Sequence, residues 1–195
     1  MLKIVLVGRP NVGKSTLFNR LVGSGKAIVN DRPGVTRDRK YGKAILVDLN
    51  FTVIDTAGID ENLTGNTEKE IKLQTETAID ESDLIIFVID GRAGVLPSEK
   101  TFSRYLIKTN KPIVVLVNKC EGSKGMLGLT ESSSLGFETI IPFSAEHGEG
   151  LSDFYDILKE KIEDKNNILM DCDNNIKVEE KDSTIIRIGI IGRPN

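Results

Sequence analysis

Gly8-Arg9-Pro10-Asn11-Val12-Gly13-Lys14-Ser15 follows the apolar run Leu2-Lys3-Ile4-Val5-Leu6-Val7 and precedes Thr16-Leu17-Phe18-Asn19-Arg20-Leu21. The octapeptide fits G-x-x-x-x-G-K-[ST] and lies between an expected strand and an expected helix, the context in which that pattern cradles phosphate. Gly8 and Gly13 let the backbone curl so that successive N–H groups face the α and β phosphates. The helix from Lys14 adds the positive end of its dipole. Lys14 can reach the β and γ phosphates, and Ser15 can place its hydroxyl on Mg²⁺. Arg9, Pro10, Asn11, Val12 and Thr16 belong to the same candidate nucleotide-binding loop.

Outward from this loop, apolar runs alternate with helical patterns, the sign of an α/β architecture with a largely parallel sheet. Leu2–Val7, Leu84–Asp90, Ile113–Val117 and Thr139–Phe143 read as strands. Ala44–Asp48 and Phe51–Asp55 read as an antiparallel hairpin turning at Leu49-Asn50. Helices are expected over Lys14–Leu21, over Thr67–Asp80, from Pro97-Ser98 with Phe102, Tyr105, Leu106 and Ile107 as its apolar side, and from Gly150 to Glu163. The fold class is therefore α/β of the P-loop NTPase type, with a mostly parallel six-stranded sheet and one antiparallel strand.

Two further stretches fall at the carboxyl ends of strands, the side on which open α/β sheets bind ligands. Asp55-Thr56-Ala57-Gly58 places a carboxylate where Mg²⁺ is held through water, a weak motif alone but a strong one in its place about forty residues after the phosphate loop. Gly58 can present its N–H to the γ phosphate. Asn118-Lys119-Cys120-Glu121 offers an amide, an aliphatic lysine stem and a carboxylate, which together suit a guanine through N1–H and the exocyclic amine. Ser144-Ala145, with Glu146 after it, can bring the Ala145 N–H towards guanine O6. His147, the single histidine, reads as a solvated loop residue, and Cys120 as an ordinary thiol.

The chain has 195 residues, Lys+Arg 26 against Asp+Glu 29 and a net charge of -3, which argues against a broad basic footprint for nucleic acid. Hydrophobic residues at 39% and charged residues at 28% give a globular composition. Cys120 and Cys172 form no disulfide framework, so a reducing, cytoplasmic setting is the default. The apolar N-terminal run is too short for a signal peptide or a membrane span. Residues 1–164 are expected to form one domain and the polar stretch 165–184 a linker. Ile185–Ile191 followed by Gly192-Arg193-Pro194-Asn195 repeats the opening strand and the Gly8-Arg9-Pro10-Asn11 tetrapeptide, so 185–195 reads as the start of a second copy.

The ordered set Gly8–Ser15, Thr36, Asp55–Gly58, Asn118–Glu121 and Ser144-Ala145 resembles a Ras-like, translation-factor-related GTPase. Gly-Arg-Pro-Asn-Val-Gly-Lys-Ser, Pro33-Gly34-Val35-Thr36-Arg37-Asp38 and Ser144-Ala145-Glu146-His147-Gly148-Glu149-Gly150 resemble the EngA/Der family in particular. That resemblance implies two tandem GTPase domains and a KH-like domain, acting in assembly of the large ribosomal subunit. It also implies that Thr36 contacts Mg²⁺ and the γ phosphate, within a switch loop spanning Ser24–Lys40. Direct RNA contact by this stretch does not follow, because the resemblance assigns ribosome contact to the KH-like domain.

Ile59 and Glu121 depart from the commoner Ras-type pattern. An isoleucine after Asp55-Thr56-Ala57-Gly58 cannot orient an attacking water as a glutamine would. The resemblance implies the hydrophobic-substituted class, some of which use K⁺ at the phosphate loop, with Asn11 at the coordinating position; by residue type alone, Asn11 equally stabilises the turn. Glu121 replaces the commoner aspartate, keeping the charge on a longer stem. The expected activity is hydrolysis of GTP to GDP and phosphate, with Lys14, Thr36, Gly58 and Asn11 as catalytic groups and Mg²⁺ on Ser15, Thr36 and Asp55. A nucleotide-regulated binding module with negligible turnover is the alternative, and an ATPase is disfavoured by Asn118–Glu121.

Overall fold

The computed structural model describes residues 1–23, 40–56, 66–121 and 125–175. Thr36, Ala57, Gly58, Ile59, the loop Ser24–Arg39 and the repeat at 185–195 lie outside the described residues. The elements run β1 (Leu2–Val7), α1 (Lys14–Val22), β2 (Lys40–Leu46), β3 (Leu49–Asp55), α2 (Asn66–Glu81), β4 (Leu84–Asp90), α3 (Pro97–Ile107), β5 (Ile113–Asn118), α4 (Gly125–Ser132), β6 (Ile140–Pro142) and α5 (Leu151–Asn175), with a short 3₁₀ turn at Ser133–Leu135. The strands form one six-stranded sheet in the order β2-β3-β1-β4-β5-β6. Only the β2–β3 pair is antiparallel.

The near-continuous apolar runs of β1 and β4 are explained by burial on both faces of the sheet. Leu2, Ile4 and Leu6, with Leu84, Ile86 and Val88, pack against Leu17 and Phe18 of α1 and Phe154 and Leu158 of α5. The alternate residues Val5, Val7, Ile85, Phe87 and Ile89 pack against Ala78 and Ile79 of α2 and Leu106 of α3. Each such buried side chain contributes roughly 1.5–3 kcal/mol relative to exposure. Ile107, expected on the apolar side of α3, is exposed.

The parallel register brings the chemistry to one edge. Leu6 stands beside Asp55, and Asp90 beside Asn118, at the carboxyl ends of their strands. The helix ends are tied separately. Lys111, just before β5, donates from Nζ to the carbonyls of Ile79, Asp80 and Ser82 at 2.6–2.7 Å, capping α2 with a cation where the dipole favours one. Lys165 of α5 reaches Asp83 Oδ2 at 2.6 Å.

Three elements differ from the expectation. The hairpin turns at Val47-Asp48, because Leu49 is buried and must lie in the strand, pairing with Leu46. Helix α4 has no counterpart in the sequence reading: Gly125 and Gly128 weaken its propensity, yet a Cβ on Gly128 would lie 2.3 Å from Gly91 O, so packing demands the glycine that propensity penalises. Helix α5 continues past Glu163 to Asn175, through residues expected to begin the linker; no glycine or proline interrupts Leu151–Asn175.

Val47 adopts φ 58 while 81% exposed. A β-branched residue in the left-handed region is strained by about 1–2 kcal/mol, and asparagine tolerates that region far better. Val47→Asn should therefore raise stability by about 1 kcal/mol, read as a higher urea midpoint at unchanged slope. A lower midpoint would show that the turn carries no such strain.

Candidate nucleotide-binding site

The phosphate loop is shaped by residues that turn against ordinary preference. Gly8, Asn11 and Gly13 have φ 148, 62 and 102, and α1 begins directly after Gly13. Lys14 is buried, its Nζ donating to Gly8 O at 2.9 Å and Arg9 O at 2.7 Å. The ammonium is thus held along the loop's inner surface, where a phosphate would meet it. Ser15 Oγ donates to Asp55 Oδ2 at 3.1 Å, so the hydroxyl and carboxylate expected to share a cation are already adjacent. The other oxygen, Asp55 Oδ1, is buried with no hydrogen-bond partner among the described residues. Such an atom is costly unless a donor or cation satisfies it. A hard, all-oxygen donor set of this kind fits Mg²⁺ with its own waters. Thr56 turns its hydroxyl away, onto Leu6 O at 2.8 Å.

Asn118 is buried at the tip of β5 and joins the two halves of the site. Its Nδ2 donates to Val12 O at 2.7 Å in the phosphate loop, and its Oδ1 accepts the Ala145 N–H at 2.8 Å. The N–H expected to meet guanine O6 therefore meets Asn118 in this arrangement. Lys119 has φ 64 and donates from Nζ to Asp90 Oδ2 at 2.6 Å and Asn11 O at 3.0 Å. Its stem thus spans the gap between β4 and the phosphate loop. Asn11 adopts the left-handed conformation that asparagine tolerates, and its backbone carbonyl accepts from Lys119.

Several charged groups here have no signature in the sequence. Arg9 Nε pairs with Glu99 Oε1 at 2.9 Å; Glu99 is buried on α3 and accepts the Leu96 N–H with its other oxygen at 2.9 Å. This fixes the phosphate loop to α3. Arg92, whose N–H bonds to Asp90 Oδ1, ion-pairs with Glu121 Oε1. The Glu121 carboxyl is held below its ordinary range, first by its own backbone N–H and further by Ser144, Arg92 and His147. It therefore stays an acceptor, the state expected of a carboxylate that reads a guanine N1–H. Burial pushes the Cys120 thiol up, which keeps it protonated and unreactive.

These positions match a known family: the model described as 50S ribosome-binding GTPase covers residues 3–119, from β1 to Lys119. The chain belongs to this GTPase family. GTPase Der of Nitrobacter hamburgensis is 48% identical over 194 residues, covering 98% of this chain and 42% of the relative. GTPase Der of Parvibaculum lavamentivorans is 46% identical over 209 residues, covering 99% of the chain and 44% of the relative. The chain thus spans less than half the length of these relatives, and the EngA/Der resemblance read from its motifs is borne out. Among solved structures, Era in complex with MgGDPNP and nucleotides 1506–1542 of 16S ribosomal RNA superposes with a TM-score of 0.68 at 28% identity, over 82% of this chain and 56% of that one.

Within this family member, burial lowers the Lys14 ammonium from 10.5 to about 8, Asp55 opposing and Arg9 adding to the shift. Between about 8 and 10.5 the unfolded chain holds that proton more firmly than the folded one, so stability rises with pH across this window relative to Lys14→Met. An anionic phosphate beside Nζ restores the charge. GDP binding should then take up a proton, and affinity should fall by up to about tenfold per pH unit above about pH 8. Calorimetry near pH 9 in two buffers of different ionisation heat measures the uptake; equal heats would show that Lys14 keeps its proton in the free protein.

Proposed function

We propose that this chain binds a guanine nucleotide with Mg²⁺ and hydrolyses GTP to GDP and phosphate, as the switch of a longer protein that serves assembly of the large ribosomal subunit. The observation that carries the reading is the buried Lys14 along the inside of its own loop, beside the Ser15–Asp55 pair. Phosphoryl transfer demands positioning and charge stabilisation more than covalent chemistry. Lys14 supplies a fixed cation for the β and γ phosphates. Arg9–Glu99 and Asn118–Val12 hold the loop against α3 and β5, so its N–H groups need no rearrangement. Glu121 stays ionised and reads the guanine edge, while Asn118 positions the loop after β6.

Ser15, Thr36 and Asp55 would hold Mg²⁺, which neutralises charge on the phosphate oxygens when bound. Thr36 and Gly58 would report the γ phosphate and release on its loss, giving a conformational output. The role in ribosome assembly is supported by the family's description and by the relatives named GTPase Der. The recurrence of Gly-Arg-Pro-Asn at 192–195 supports a second GTPase domain beginning near 185, after a linker ending near 184.

Ile59 favours a second reading, a binding switch with negligible turnover of its own, since no glutamine stands there to orient water. K⁺ held at Asn11 would supply charge in its place. Hydrolysis measured with Mg²⁺ in KCl and in NaCl at equal ionic strength separates these readings. Stimulation of about tenfold or more by K⁺, lost in Asn11→Ala, is the expected result. Equal, measurable rates would remove the K⁺ role, and tight GDP binding without turnover in either salt would favour the binding switch.

A further inference from the structure

Residues 144–148 form one helix-like turn after β6, and its N–H groups can be followed individually. The Ala145 N–H goes to Asn118 Oδ1 at 2.8 Å, the His147 N–H to Ser144 Oγ at 3.2 Å and the Gly148 N–H to Ser144 O at 2.7 Å. The Glu146 N–H has no partner among the described residues. On the opposite side of the turn stands Arg20, in the last turn of α1. It donates from Nε to Ala145 O at 2.5 Å and from Nη2 to Glu146 O.

A peptide unit is planar, and its C=O and N–H point in opposite directions. The guanidinium that draws Ala145 O outward therefore turns the Glu146 N–H inward, to the side where Asn118 lies. Arginine suits this task because its planar fork meets two carbonyls at once and remains charged at any working pH. Gly148 leaves room for it: a Cβ there would lie 2.9 Å from Arg20 Nη1, and its φ of 82 is one that glycine adopts without strain.

We propose that Arg20 is a positioning residue for base recognition, fixing the 145–146 peptide so that the Glu146 N–H is aimed at guanine O6. The inference rests on the guanine-nucleotide reading above. It makes α1 the common frame of both subsites, with Lys14 and Ser15 at its start on the phosphates and Arg20 near its end on the base loop.

The test compares equilibrium affinities of the full chain and of Arg20→Ala and Arg20→Lys for GDP, IDP, ADP and the 5′-diphosphate of 2-aminopurine riboside. The first two carry O6; the 2-aminopurine nucleotide has no acceptor at that position. Arg20→Ala should weaken GDP and IDP by about tenfold, the size of one hydrogen bond, while 2-aminopurine changes by less than about twofold. Arg20→Lys, which keeps a cationic donor near both carbonyls, should fall between, and it serves as the probe if the alanine variant does not fold. Equal losses for every nucleotide would show a merely structural role and overturn the proposal, as would no loss for any. Wild-type chain that binds ADP as tightly as GDP would sink the guanine reading itself, and the proposal with it.

Discussion

One buried carboxamide holds the site together. Asn118 gives its Nδ2 to Val12 O and takes the Ala145 N–H on Oδ1, so a single side chain ties the Gly8–Ser15 loop to the loop after β6. A buried amide with both ends engaged is stable, whereas one with a missing partner carries the full desolvation penalty of the orphaned group. The two loops are therefore fixed or lost together. The sheet makes this economy workable: β5 ends beside β4 at Asp90, and Asp90 in turn takes Lys119, whose ammonium also reaches Asn11 O.

Around this amide, charged side chains act as struts. Arg9–Glu99 joins the phosphate loop to α3, and Arg92–Glu121 joins the loop after β4 to that after β5. Glu99 is buried, so its pairing with Arg9 and the Leu96 N–H is needed for the carboxylate to be tolerated at all. Arg92 is half-exposed, and its pair adds placement more than stability.

The strands and the phosphate loop were legible because their causes are local. Leu84–Asp90 is apolar throughout because both faces are covered, and Gly8–Ser15 has few chemical meanings between a strand and a helix. The hairpin turn was misplaced by two residues because Val47 takes a backbone conformation that its own propensity opposes, under the demand that Leu49 be buried. Helix α4 was missed because the glycine that weakens it locally is the one its packing against Gly91 requires. Arg20, Arg92 and Glu99 were invisible for another reason. A lone charged residue has no periodicity or motif, and its partner lies 125, 29 or 90 positions away. Asp90 alone had a usable sign, its place at the carboxyl end of a parallel strand.

Lys111 gives α2 a mechanical polarity. Its ammonium pins the carbonyls at the C-terminal end of that helix to the foot of β5. Sixteen residues of helix make a rod of about 24 Å. With the fulcrum at the C-terminal end, a tilt of about 10° displaces the N-terminal end by about 4 Å while leaving the anchored end almost still. A helix held in this way swings about the Lys111 anchor rather than sliding along the sheet.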